Sequence, residues 1–127
     1  AFIEPLAEQI GACAECGLDA VELWTGGYAH ARSARQRERE LRKLVEALDC
    51  GEEHGLDVHA GHGLTYRNVG PLAEVAGFGE FNIGHSIVAR AVLVGMREAV
   101  REMKALLSQG SPRVVYVDGG SLSPKRG

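Results

Sequence analysis

Short apolar runs typical of β-strands alternate with longer stretches of helical periodicity, and this alternation constrains the fold more than any other feature. The strand-like runs occupy residues 1–3, 18–24, 56–60 and 80–83, and we expect Ala20, Val21 and Leu23 to be buried in the second of them. A helical stretch follows each of them. Strand–helix units in succession predict an α/β protein, with a parallel sheet and helices packed outside it.

The spacing of apolar residues predicts where the helices lie. We expect helices over residues 5–16, 34–53, 69–75 and 86–107, with a polar loop over 25–33. Each predicted helix is amphipathic or apolar enough to pack against the sheet.

Individual residues predict where these helices begin and break. Ser33 and Gln36 match a capping box, which would satisfy free amides in the first turn of the long helix. Gly95 would cost about 1 kcal/mol relative to alanine inside a helix, so we expect a break there between two helices. One apolar stripe of the long helix consists of Leu41, Leu44, Val45 and Leu48.

The number of strand–helix units predicts half of a larger fold. A complete (β/α)8 barrel, the TIM barrel, takes about 250 residues, and this chain has 127 residues and half the units. Ala1 is not a methionine, and the opening AFIEP is typical of the end of a strand, so we expect a fragment. A half barrel has open sheet edges, which should pair with another half or aggregate.

Charge and cysteine content exclude several classes of protein. The net charge of -3 gives no reason to expect nucleic acid, and no apolar run approaches the roughly 20 residues of a membrane span. Cys13 and Cys16 form a C-x-x-C inside a predicted helix, where we interpret them as small apolar residues, and Cys50 supplies no second pair for zinc. Three cysteines cannot all pair, which favours a reducing compartment, and we predict a cytoplasmic protein.

The end of the chain differs in composition from the rest. Residues 108–127 are rich in glycine, serine and proline, and we predict a divergent, flexible tail after a domain of residues 1–107. The run RVVYV at 113–117 could pair as an edge strand.

Candidate functional residues follow the ends of the predicted strands. In a βα barrel the active site lies at the carboxyl ends of the strands, where the following loops meet. Residues of this kind here are Glu4, Glu22, Trp24, Thr25, His59, His62, Gly63, Asn82, Gly84 and His85.

Two glycine–histidine segments after consecutive strands predict a phosphate site. GHG covers residues 61–63, and IGHS covers 83–86 at the start of a predicted helix. Gly63 and Gly84 would let an anion approach backbone N–H groups without a side chain in the way. The dipole of a helix that begins there also favours an anion.

The histidines differ in their predicted roles. His62 lies in the loop proper and is the best placed to transfer protons, because imidazole titrates near neutral pH. We interpret His59 as a wall residue within the strand, and His30 and His54 as surface-loop and helix-end residues. A metal site of His59, His62 and His85 lacks a well-spaced carboxylate, so we predict no metal.

Glu22 lies between Val21 and Leu23 in a strand whose helix side should be covered. Its carboxylate would therefore point into the mouth of the barrel. There it is either functional or paired with a cation elsewhere in the protein.

Three segments are specific enough to indicate a family: DAVELWTGGYA at 19–29, HAGHGLTYRNV at 59–69 and FNIGHSIVARAVLVGMREAVREMKALL at 81–107. Together they resemble the C-terminal half of the pyridoxine 5'-phosphate synthase family. The resemblance covers residues 1–107. It implies the C-terminal half of a TIM (β/α)8 barrel that condenses 3-amino-2-oxopropyl phosphate with 1-deoxy-D-xylulose 5-phosphate into pyridoxine 5'-phosphate, phosphate and water.

The resemblance also implies roles for particular residues and properties of the whole protein. His62 would be the proton donor and Glu22 would stabilise a transition state, while Gly63, Gly84 and His85 would contact a substrate phosphate. Members of the family are cytoplasmic homo-octamers with small phosphorylated substrates and no metal or organic cofactor.

The chain departs from the family in two respects. Trp24 replaces a histidine of the usual ELHTG segment, and an indole can stack on a ring but cannot relay a proton. The tail after Leu107 does not resemble the family. The family's general bases belong to the other half of the barrel, so we expect this fragment alone to be inactive. The alternative is a non-catalytic half barrel that binds phosphate or serves as an assembly module.

Overall fold

A computed structural model describes residues 1–108 of the chain. Strands and helices alternate along it. The elements are β1 Phe2–Ile3, α1 Ala7–Glu15, β2 Ala20–Trp24, α2 Gly26–Ala29, α3 Ala34–Glu53, β3 Asp57–Gly61, α4 Val69–Ala73, β4 Phe81–Asn82, α5 His85–Val94 and α6 Met96–Ser108. The predicted tail and the possible strand at 113–117 lie outside the described residues.

The strands form one parallel sheet in the order β1-β2-β3-β4. In the register, Glu22 is opposite His59, and Trp24 is opposite Gly61. The predicted α/β architecture with a parallel sheet is confirmed. Since all strands run the same way, their carboxyl ends meet along one edge, called here the carboxyl edge.

One face of the sheet carries the apolar core. Val21, Leu23, Val58 and Ala60 alternate along β2 and β3 and are at most 2% exposed. The helix α3 packs on these strands. Ala20 was expected in this core but is only half-buried, because the period of two places it on the same face as Glu22.

The long helix α3 begins as its capping residues predict, with one difference. The Ser33 Oγ accepts a hydrogen bond from the Gln36 amide at 3.1 Å. The Gln36 side chain, however, accepts from the Arg32 amide at 3.0 Å rather than from that of Ser33. The reciprocal half of the capping box is therefore displaced by one residue, which still satisfies a free amide at the helix start.

The apolar stripe of α3 lies against the sheet largely as predicted. Leu44 and Leu48 are buried, Leu41 packs against the core and Val45 is half-buried. Gly51 is also buried, and a Cβ at this position would collide with Val58. The small residue thus lets the end of α3 approach β3 closely.

The predicted polar loop over residues 25–33 contains a short helix, α2, and this prediction was wrong. Thr25, Gly26 and Tyr28 are all buried. The Tyr28 hydroxyl donates to the Asn68 carbonyl at 2.6 Å. Contacts of this kind, distant in sequence, stabilise a helix that local propensity alone does not predict.

The apparent last helix divides at Gly95, which has φ 84°. This left-handed conformation suits glycine and ends α5 before α6 begins, so the predicted break is confirmed. Within residues 1–108, no helix is long and apolar enough to cross a membrane.

Both cysteines of the C-x-x-C are free thiols; Cys13 lies in the second half of α1 and Cys16 is the residue that caps its end. Cys13 packs against the core, as the apolar interpretation expects, whereas Cys16 is exposed at the end of the helix. The pair does not occupy the first helical turn, where the dipole would favour a reactive thiolate.

Candidate functional site

An open cavity of about 730 Å³ lies at the carboxyl edge of the sheet. The loop after β3 and the start of α5 supply most of its wall. Six of the ten candidate residues line it: Glu22, His62, Gly63, Asn82, Gly84 and His85. Glu4, Trp24, Thr25 and His59 do not. Cavities of this size at the carboxyl ends of parallel strands commonly bind small molecules.

Glu22 lies on the open face of the sheet and reaches across β3. One of its carboxylate oxygens accepts a hydrogen bond from the Asn82 side-chain amide at 2.9 Å. A Cβ on Gly61 would collide with the Glu22 carboxylate, so this glycine leaves the path to Asn82 open. In the described part of the chain Glu22 makes no ion pair with a cation.

His62 adopts a backbone conformation that few residues other than glycine adopt. Its φ is 83°, and within residues 1–108 it is the one non-glycine residue with a positive φ. Such a conformation costs of order 1–3 kcal/mol and persists where the surroundings enforce it. The strained residue is therefore held in place by its neighbours.

Thr25 is the neighbour that holds the His62 backbone. This buried side chain places its hydroxyl 2.6 Å from the His62 carbonyl and 2.8 Å from the Gly61 carbonyl. The Thr25 amide also donates to the Gly61 carbonyl at 2.8 Å. The carbonyls of the last residue of β3 and of the residue after it are thus both held by one residue after β2.

The exposed imidazole of His62 is surrounded by other rings. Its centroid lies 6.4 Å from Phe2, 5.9 Å from Trp24 and 6.2 Å from His30. Trp24 therefore lies beside His62, the candidate proton donor. The aromatic neighbours restrict the directions in which the His62 ring can turn.

Gly63 and Gly84 keep backbone amides available in the cavity wall. Neither amide donates to an acceptor within residues 1–108. Gly63 has φ 77°, and a Cβ on Gly84 would meet no atom within 4 Å. His85 is the first residue of α5, so the positive end of its helix dipole also points toward this region.

Side-chain hydrogen bonds tie the loop after β3 to its surroundings. The Asn68 amide donates to the Gly63 carbonyl at 3.1 Å, and its oxygen accepts from the Thr65 amide at 2.6 Å. Ser86 of α5 donates to the Leu64 carbonyl at 2.8 Å. Burial raises the pKa of the Tyr28 phenol, so its hydroxyl remains the donor to Asn68. The loop is fixed by many polar contacts.

His59 does not line the cavity. Its Nδ1 lies 3.6 Å from a Glu80 carboxylate oxygen, and its side chain is 23% exposed. This position agrees with the interpretation of His59 as a wall residue. Among residues 1–108, no group of three or more histidine, cysteine or acidic side chains is placed to hold a metal ion.

His30 was not predicted as a residue of this cavity. It is exposed, as expected of a surface residue, but it follows α2 rather than lying in an irregular loop, and it lines the cavity beside His62 and Gly63. Its position depends on α2, the helix that the sequence did not predict. No local signal could have identified it, since the turn of α2 decides where the ring points.

These features define an α/β protein whose parallel strands end at a cavity with free backbone amides, a strained histidine and a carboxylate. The sequence model of the family described as pyridoxal phosphate biosynthesis protein PdxJ matches residues 1–109. The chain therefore belongs to this family. The predicted family resemblance is confirmed.

Curated relatives of the chain carry the name pyridoxine 5'-phosphate synthase. The chain is 56% identical to those of Trichlorobacter lovleyi and Syntrophotalea carbinolica over 106 residues, which is 84% of this chain and 44% of each relative. It is 50% identical to that of Magnetococcus marinus over 108 residues, 85% of this chain and 44% of the relative. The chain thus spans less than half the length of these relatives.

Proposed function

We propose that the full-length protein is a pyridoxine 5'-phosphate synthase. It condenses 3-amino-2-oxopropyl phosphate with 1-deoxy-D-xylulose 5-phosphate, and it releases phosphate and water as the pyridine ring closes. The observation that carries this proposal is the meeting of Glu22, His62, Gly63 and Gly84 in one cavity of a chain that belongs to the family.

Gly63 and Gly84, with His85, bind a phosphate group of a substrate. The free amides of both glycines support this role, because phosphate oxygens accept hydrogen bonds from backbone N–H groups. The start of α5 adds a favourable dipole. His85 begins that helix and lines the same cavity.

His62 donates a proton to the group that the phosphate contacts hold in place. Its exposed ring in the cavity supports this role, and the hydrogen bond from the Thr25 hydroxyl to the His62 carbonyl fixes its backbone. Pre-organised placement of an acid lowers the cost of reaching the transition state.

Glu22 stabilises positive charge that develops on the reacting atoms. The Asn82 amide occupies one carboxylate oxygen and orients the group, while the other oxygen remains available to substrate.

The described strands form the C-terminal half of a TIM (β/α)8 barrel in this proposal. The remainder of the relatives' length supplies the other strands and the general bases. Both outer strands of the described sheet, β1 and β4, pair on one side only, which supports closure by further strands. The full-length protein is a cytoplasmic homo-octamer that needs no metal or organic cofactor, and its free thiols suit a reducing compartment.

A non-catalytic phosphate-binding half barrel or assembly module is the second candidate. The exposed apolar side chains of α5 favour it, since Val92 is 82% and Leu93 is 79% exposed. Size-exclusion chromatography and a synthase assay on the 127-residue chain and on the full-length protein separate the two candidates. We expect turnover only from the full-length protein, and turnover by the chain alone would exclude our view that the bases lie elsewhere.

Replacing His62 tests the proposed proton donor. In the full-length protein, His62→Ala should lower kcat by at least about 100-fold, the scale of general acid catalysis. His59→Ala is the matched control, because its ring lies outside the cavity, and it should retain most activity. A near-normal kcat for His62→Ala would remove the role assigned to His62.

A further inference from the structure

His30 has one ring nitrogen bound to the protein and one that faces the cavity. Its Nδ1 lies 2.9 Å from the Gly26 carbonyl oxygen. A carbonyl can only accept a hydrogen bond, so Nδ1 carries the hydrogen. The ring orientation is thereby fixed from the α2 side, in the way that second partners orient histidines in binding sites.

The other edge of the ring lies beside Gly63. A Cβ on Gly63 would be 3.4 Å from the His30 Cε1 and 3.7 Å from its Nε2. The His30 Nε2 makes no hydrogen bond or ion pair within residues 1–108. This nitrogen is thus a free polar group beside the free Gly63 amide, in the same cavity wall.

The His30 and His62 rings lie next to each other beside Gly63 in the cavity wall. The two ring centroids are 6.2 Å apart and the rings are nearly edge to face. Asp and Glu side chains other than Glu22 do not line the cavity, so little negative charge opposes an anion.

We propose that His30 is a further phosphate-binding residue of this site, acting through Nε2. The inference rests on the proposed phosphate role of Gly63 and Gly84. In the imidazolium form both ring nitrogens carry a hydrogen, and the Nε2–H donates a charge-assisted hydrogen bond to a phosphate oxygen. The hydrogen on Nδ1 remains bonded to Gly26, so the ring need not turn when phosphate arrives.

Two substitutions at His30 separate its two nitrogens. His30→Asn keeps an amide near the Nδ1 position, where it can donate to Gly26, and removes the group at the Nε2 position. His30→Gln places an amide donor near the Nε2 position. The substitution His54→Asn is the matched control, because the His54 Nδ1 likewise lies 2.8 Å from a carbonyl four residues earlier, that of Cys50.

Equilibrium dialysis of the full-length protein against radiolabelled inorganic phosphate measures the effect without activity. His30→Asn should raise the Kd for phosphate about tenfold, the effect of losing one hydrogen bond to a charged group. The variants His30→Gln and His54→Asn should stay within about threefold of the unchanged protein. Circular dichroism should be the same for all of them.

A fourth variant makes failure of the inference distinct from failure of the proposed function. Gly84→Val should abolish phosphate binding, since its side chain would enter open space in the cavity without a clash. Unchanged binding by Gly84→Val, or none by the unchanged protein, would overturn the phosphate site and His30 with it. If Gly84→Val loses phosphate binding and His30→Asn does not, only the phosphate-binding role of His30 is refuted.

Discussion

The helix-facing side of the sheet and its carboxyl edge are held together by different interactions. On the helix side, Leu23, Leu48 and Val58 are at most 2% exposed and pack in one apolar cluster. At the edge, hydrogen bonds fix the loop after β3, and α5 has no buried residue. Apolar burial therefore builds the scaffold, whereas polar contacts shape the cavity.

This difference explains why the candidate site lies where it does. A tightly packed apolar face has no room for a ligand and no free polar groups. The edge keeps amides and rings accessible, and it is rigid because its carbonyls are bonded to Thr25 and Asn68. Scaffold and site are thus separate parts of one small fold.

Truncating a core leucine should give the largest effect on stability. Leu48→Ala should lower the free energy of unfolding by about 2–5 kcal/mol, because it leaves a cavity between α3 and the sheet. Leu93→Ala, on the exposed face of α5, should change it by less than about 0.5 kcal/mol. Urea unfolding followed by circular dichroism measures both, and equal losses would mean that the α5 face is covered in the protein.

Removing the hydroxyl that holds the loop after β3 should give an intermediate effect. Thr25→Val leaves the His62 carbonyl without this partner, which should cost about 1–3 kcal/mol of stability. In the full-length protein, Thr25→Val should also lower turnover, since the His62 backbone loses the hydrogen bond that holds it. Thr25→Ser keeps the hydroxyl and should recover most of both losses. If Thr25→Ser and Thr25→Val have the same stability and turnover, the Thr25 hydroxyl contributes to neither.

The core side could be predicted from sequence because its residues follow a simple period. Val21 and Leu23 alternate with Glu22 along β2, and Leu44 and Leu48 are spaced by one helical turn. Burial of these residues follows from the period of two in strands and 3.6 in helices. Ala20 was misplaced because alanine is compatible with either face.

The edge could be predicted only in part. His62, Gly63 and Gly84 follow directly after strands, so their placement at the edge needed only the strand order. His30 needed the path of α2, a helix of four residues that tertiary contacts stabilise. The hydrogen bond from Thr25 to the His62 carbonyl joins residues 37 positions apart, and the left-handed backbone conformation of His62 likewise depends on such contacts.

The strained backbone of His62 should be measurable as a difference between two variants. At φ 83° an alanine retains most of the strain and a glycine retains almost none. The variant His62→Gly should therefore be more stable to urea than His62→Ala by about 1 kcal/mol, although both lose the ring. A less stable glycine variant would argue that the loop relaxes freely and that its surroundings do not impose the conformation.

The ion pair between α5 and α6 should give the smallest effect, and one that depends on pH. Arg90 donates two hydrogen bonds of 2.8 Å to the Glu102 carboxylate. These bonds lower the pKa of Glu102 below its ordinary value. The ion pair therefore stabilises the fold above the pKa of an unfolded glutamate, and this stabilisation is lost as pH falls through the lower, folded value.

Replacing Glu102 should show this pH dependence directly. The urea midpoint of Glu102→Gln should lie below that of the unchanged protein at about pH 7 and should converge with it near about pH 3. Glu74→Gln is the control, since Glu74 takes part in no ion pair among residues 1–108. An equal difference in urea midpoint at both pH values would mean that the Glu102 side chain stabilises α5 by packing. The contact between α5 and α6 would then resemble the apolar core rather than a polar contact.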